Sequence, residues 1–177
     1  HIVSAGSLLG IRLSGPKSFP VGKVNFVNMY PLTFFEFLDA TGRNDLRMLI
    51  ENTKEINTYP TPFHTELLNL LRTYYFTGGM PEVVKRFAES KDYFEVRDIQ
   101  KEIIDSYILD FAKHASSSDI PKLSIIWDSI PHQLGKENKK FIFVALKKSA
   151  RAREYENALR WLHDAGLIYK VNLVNTI

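Results

Sequence analysis

Ser149-Ala150-Arg151-Ala152-Arg153-Glu154-Tyr155-Glu156-Asn157-Ala158-Leu159-Arg160-Trp161-Leu162-His163-Asp164-Ala165-Gly166-Leu167-Ile168-Tyr169-Lys170-Val171 is the stretch on which the fold turns. Ala152, Tyr155, Ala158, Leu159 and Leu162 recur at helical spacing, with Ser149 in place to cap the helix from its N-terminal side. Ala165-Gly166 is a C-terminal stop, after which Leu167 to Val171 has strand composition. Upstream, Asp119 is placed to cap a helix carrying Ile120, Leu123, Ile126, Trp127 and Ile130, which Pro131 and Gly135 close. Phe141 to Leu146 is a short element of strand or helix, since periodicity does not separate the two. Helix, short element, helix, glycine, strand is the order of a winged helix-turn-helix.

Moving outward, the helical period continues toward the N-terminus. A long helix is expected from about Tyr93 to His114, marked by Val96, Ile99, Ile103, Ile104, Tyr107, Ile108 and Phe111, and Ser116 to Asp119 form a polar linker. Pro81-Glu82 opens another helix, because proline is tolerated in a first turn and an acid there suits the helix dipole. Pro62 to Phe76 should turn Leu67, Leu68, Leu70, Leu71, Tyr74 and Tyr75 inward and end at Gly78-Gly79. A helix over Asp45 to Asn52 and a first helix with Phe34, Phe35, Phe37 and Leu38, opened by Pro31 and stopped by Gly42, complete the series. Residues 1–30 alone have strand-and-turn character: Ile2-Val3 and the alternating Val24 to Met29 flank a loop punctuated by Gly15, Pro16, Pro20 and Gly22. Two short strands cannot bury a sheet face alone. The chain opens and closes on apolar runs, Ile2-Val3 and Val171 to Val174, so the expectation is an excised portion of a longer protein.

Composition bounds the function. The chain has 177 residues, 45% of them hydrophobic and 24% charged, which is ordinary globular material able to build a core. With no cysteine, neither a disulfide framework nor a thiolate zinc site is available, and a reducing, cytoplasmic setting is expected. No apolar run approaches the roughly 20 residues that span a bilayer, so no membrane partner is expected. The net charge of +3 is unevenly placed: residues 136–170 carry nine Lys or Arg against four acids, and the rest of the chain is net negative.

Catalytic patterns are missing. Gly15, Lys17, Ser18, Gly22 and Lys23 resemble a phosphate loop in composition, yet Lys17 stands where its first glycine belongs and Val24 where a magnesium-binding Ser or Thr belongs. Pro16 and Pro20 also remove backbone donors from a loop whose work would be donation. His1, His64, His114, His132 and His163 have no spacing that puts a metal triad on one element, and Ser7 lacks the glycines of a nucleophile elbow. Glu102, Asp105 and Asp110 are the wet side of a helix, and Pro81-Glu82 with Lys85 is better explained by helix initiation than by a nuclease signature. No catalytic residue and no metal ligand is expected.

Nucleic-acid binding survives that screen. Arg153, Asn157 and Arg160 fall away from the apolar face of their helix, with Lys136, Lys139, Lys140, Lys147, Lys148 and Arg151 preceding it. Arg and Asn are types that read base edges, and lysines neutralise phosphates. Glu154 and Glu156 would repel a backbone at the same helix, so a winged helix that packs on protein is the competing reading.

Four strings extend these inferences. Gly6-Ser7-Leu8-Leu9, Ser18-Phe19-Pro20-Val21-Gly22-Lys23-Val24, Tyr30-Pro31-Leu32-Thr33-Phe34-Phe35-Glu36-Phe37-Leu38 and Gly78-Gly79-Met80-Pro81-Glu82-Val83-Val84 resemble the middle of a prokaryotic family of AAA-type P-loop ATPases. Trp127 to Leu134, Glu137 to Phe141, Ala150 to Tyr155 and Trp161 to Ile168 resemble the domain of unknown function that follows that ATPase core. The resemblance implies a mainly α chain in three parts: a small β remnant of an α/β ATPase core over 1–30, a helical linker bundle over 31–116, and a truncated winged helix-turn-helix over 117–177. It implies an upstream ATPase core with its ATP and Mg, no cofactor held by this part alone, and DNA or protein as the partner. Ser7 would be the polar tip of a sensor strand and Lys23 a nucleotide contact; Lys23 replaces an arginine usual in the family's Gly-Arg pair, keeping the charge but losing the planar fork. The parent would be the enzyme, and this part inactive by itself.

Overall fold

The computed structural model describes residues 3, 25, 27–53 and 60–172. Among them the chain is mainly helical, with no strand: α1 (Phe34–Ala40), α2 (Asn44–Asn52), α3 (Thr61–Thr77), α4 (Pro81–Ser90), α5 (Tyr93–His114), α6 (Ile120–Leu134), a 3-10 turn (Phe143–Ala145) and α7 (Ala152–Asp164). The expected strand pair of residues 1–30 lies largely outside the described residues, and Asn25 and Val27–Met29 within it are irregular and exposed. The described residues form two compact units, one up to Ser106 and one from Tyr107 onward, and the division falls inside α5. Val96, Ile99 and Ile103 of that helix serve one core, Tyr107 and Phe111 the other.

In the unit of residues 26–106, α1 packs on α2, α3 and α4. Phe37, Val83, Val84, Phe87 and Val96 form the core, with Leu32, Phe34, Tyr74 and Met80 against it. Thr33, not Pro31, starts α1: its hydroxyl accepts from the Glu36 N–H at 3.3 Å, and the Glu36 carboxylate accepts from the Thr33 N–H at 2.7 Å. That reciprocal pairing satisfies two donors that a helix N-terminus leaves open. Pro31 lies two residues before it.

The Pro31-Leu32-Thr33 and Gly78-Gly79-Met80-Pro81 strings meet in space. The Leu32 N–H donates to the Gly79 carbonyl at 2.7 Å, and the Tyr74 hydroxyl donates to the Leu32 carbonyl at 2.7 Å. The approach is so close that a Cβ on Gly79 would stand 2.2 Å from the Leu32 oxygen. Gly78 ends α3 at φ +71°, ψ −171°, a conformation that L side chains avoid. The Gln100 amide of α5 donates to the Phe76 and Thr77 carbonyls at 2.8 and 3.1 Å, closing the end of α3. Leu68 and Tyr75, expected inward, are exposed; the buried stripe of α3 is narrower than its apolar content, and Tyr74 rather than Tyr75 faces Phe37.

Charge ties α2 to its neighbours. Arg43 grips Asp45 with two bonds of 3.0 and 3.1 Å and also binds Glu66 of α3, while Arg47 binds Asp39 and Glu51. The Arg43 side-chain bonds hold the Glu66 and Asp45 carboxyls below their usual 4.5 and 3.8, and the Thr33 backbone and hydroxyl donors do the same for Glu36. A carboxylate with a lowered folded pKa adds stability above its unfolded value and loses it as pH falls through the folded one. The urea midpoint followed by far-UV circular dichroism should therefore drop as pH falls below the usual 4.5 of a glutamate, and the paired variant Glu36→Gln, Glu66→Gln should show a shallower drop. An unchanged slope in that variant refutes the assignment.

In the unit from residue 107 onward, α5, α6 and α7 enclose Phe111, Leu123, Ile126, Ala150, Tyr155, Ala158 and Leu162. Phe111 meets Trp127 edge-on at 5.5 Å and Trp161 edge-on at 5.4 Å. Three sequence expectations are corrected here. Asp119 stands at the start of α6 but makes no cap, because its carboxylate accepts from the Ser116 hydroxyl at 2.7 Å and faces Lys122 at 3.6 Å. Pro131 lies inside α6, which continues to Leu134. Ser149 does not cap α7, whose N-cap is Arg151.

The open question over Phe141–Leu146 resolves as the 3-10 turn. Gly166, at φ +72°, stops α7, and the Leu167 N–H reaches back to the Leu162 carbonyl at 3.0 Å. That closure sends Leu167 and Ile168 onto the core, and Leu167–Asn172 is not a strand: it has no ladder partner among the described residues.

Candidate nucleic-acid interface

The segment between α6 and α7 is held from beneath. Phe141, Phe143 and Leu146 pack on the core and Ala150 is buried within it. Gln133, a buried polar side chain of α6, accepts from the Ile142 N–H at 2.7 Å and donates to the Ser129 hydroxyl at 3.3 Å. The Asn138 side chain accepts from the Lys140 N–H at 3.1 Å, fixing a turn among the lysines. Composition gave no sign of Gln133, because a lone Gln near a helix end is ordinarily solvated.

Lys136, Lys139, Lys140, Lys147, Lys148, Arg151, Arg153, Asn157 and Arg160 are all exposed. Among the described residues none of the eight cations in this set forms an ion pair with an acid. At 100° per residue, Arg153, Asn157 and Arg160 fall within an arc of about 60° opposite Tyr155, Ala158 and Leu162 of α7. Asp164 lies on that same arc, with Glu154 and Glu156 on its flanks. Residues 136–151 hold six cations and one acid, Glu137, whereas residues 152–170 hold three cations and three acids. The whole basic excess thus precedes α7.

Two hollows accompany these features. An open groove of about 490 Å³ runs beside α6 and the 3-10 turn, with Asp128, His132 and Lys136 spaced one turn apart and Ile125 and Leu146 as apolar lining. A shallow pocket of about 130 Å³ is bordered by Glu82, Lys85 and Arg86 in the other unit. Among the described residues no group of three or more His, Asp or Glu is placed to hold a metal ion, and no helix is long and apolar enough to cross a membrane. Ser7 and Lys23, the expected nucleotide contacts, lie outside the described residues.

The chain is thus a mainly helical protein with two cores and a basic, acid-poor segment fixed on the second. Residues 68–176 match the family model of the domain of unknown function DUF8612, and the chain belongs to that family. No curated protein and no solved structure matches it.

Proposed function

We propose that this chain is the helical and effector part of an AAA-type P-loop ATPase, with the region from residue 117 acting as a winged-helix-like module that meets DNA when the ATPase changes state. The ATPase half of this reading rests on the resemblance of the strings Gly6–Leu9, Ser18–Val24, Tyr30–Leu38 and Gly78–Val84. The DNA half rests on one observation, the exposed cations of residues 136–151, none of them paired with an acid among the described residues. Charge stabilisation in phosphoryl transfer depends on a phosphate loop and its magnesium, which on this reading belong to polypeptide ahead of His1.

Incubated with Mg-ATP, the 177 residues should release phosphate no faster than a protein-free control, while a longer gene product carrying the preceding core turns over. Turnover by the 177 residues would overturn the ATPase half, as would an inactive longer product. Fluorescence anisotropy with a labelled duplex tests the DNA half: affinity should fall steeply between 50 and 200 mM salt. Absence of binding at the lower salt favours the second reading, a protein-interaction module, whose support is the groove beside α6 and the balanced charge of α7.

A further inference from the structure

Resting on the DNA reading just given, we infer that the surface grips the phosphate backbone through residues 136–151 and does so without regard to base sequence, α7 taking no decisive part. The charge distribution carries this. A helix that reads bases in a major groove must enter between two rows of phosphates, and α7 brings no net positive charge: Arg153 and Arg160 are offset by Glu154, Glu156 and Asp164. Lys139-Lys140 and Lys147-Lys148 bracket the 3-10 turn, Lys136 and Arg151 extend the set at either end, and Glu137 is the one acid among them. Their backbone is fixed by the Gln133 bond to Ile142 and by Phe141, Phe143, Leu146 and Ala150, so the charges are displayed from a fixed support and not from a loose loop. Lysine is a compact point charge suited to phosphate oxygens and lacks the planar fork of arginine.

Ile142 and Val144 also protrude, 42% and 60% exposed, which raises an anionic lipid surface as the competing occupant. The neighbours Phe141 and Phe143 are committed to the core, leaving little apolar area to enter a bilayer.

The experiment uses the 177-residue chain with two duplexes of equal length and unrelated sequence, and with vesicles containing phosphatidylserine. Both duplexes should bind within about threefold of each other, with a slope of log K against log salt no steeper than about −5.4 for six phosphate contacts. The variant Lys139→Ser, Lys140→Ser, Lys147→Ser, Lys148→Ser should lose more than about tenfold at 100 mM salt and flatten the slope by about 3 to 4. The variant Arg153→Ala, Asn157→Ala, Arg160→Ala should stay within about threefold of the parent. A tenfold preference between duplexes, or a larger loss from the α7 variant than from the lysine variant, overturns backbone recognition while leaving DNA binding intact. Failure to bind either duplex at 50 mM salt overturns the DNA reading and this inference with it, and vesicle binding under those conditions assigns the lysines to lipid. The slope and the two-duplex comparison use the unaltered chain, so they stand even if a variant misfolds.

Discussion

Replacing Phe111 with alanine should destabilise the unit from residue 107 onward by about 3 to 5 kcal/mol, the range for deleting a fully buried phenyl ring. The ring is 0% exposed and makes edge-on contacts with both tryptophans of the chain, so its removal opens a cavity between Trp127 and Trp161. Because both indoles lie against this core, tryptophan emission in a urea titration reports on this half of the chain. The midpoint should fall by at least about 1 M for a urea dependence of 1 to 3 kcal/mol per molar. Phe111→Leu, which keeps most of the volume, should cost less than half as much. Equal midpoints for the parent and Phe111→Ala would show that the ring does not hold the three helices together.

The second large effect is expected at Gly79. An added methyl would sit 2.2 Å from the Leu32 carbonyl oxygen and 2.9 Å from its nitrogen, both of them backbone, so the Leu32 segment must move away. Two hydrogen bonds leave with it, the Leu32 N–H to Gly79 and the Tyr74 hydroxyl to Leu32. Overpacking and the lost bonds together suggest about 2 to 4 kcal/mol for Gly79→Ala. Gly42→Ala is the control: its φ of +78° strains a side chain, but nothing lies within 4 Å, so about 1 to 2 kcal/mol is expected. Hydrogen exchange at the Leu32 amide separates the two. Protection should be lost in Gly79→Ala and kept in Gly42→Ala; retained protection in both would mean that the contact tolerates a methyl.

These effects show where sequence reasoning reaches and where it stops. The helices of residues 61–114 could be read because proline in first turns and the Gly78-Gly79 pair mark their ends locally. The tight approach of Gly79 to Leu32 could not, since it joins segments 47 residues apart, and a glycine after a helix is already explained by its conformational freedom. Tyr75 and Leu68 stand outside the buried face because apolar content alone does not mark it, and only part of α3 is covered. Leu167–Val171 has strand composition, but a strand exists only by pairing, and the closure at Gly166 turns its first residues onto the core. In the candidate interface the exposed cations were legible one by one. The bond between Gln133 and Ile142 that steadies them was not, because a side-chain amide advertises nothing about its partner.

One continuous helix, Tyr93–His114, supplies Val96 to one core and Phe111 to the other. The protein is consequently divisible into two interiors but not into two pieces. Scission between Ser106 and Tyr107 would strand carbonyls on one side and amides on the other in mid-spiral, each without its bonding mate. Any attempt to study the halves in isolation should let each keep its own copy of those twenty-two residues.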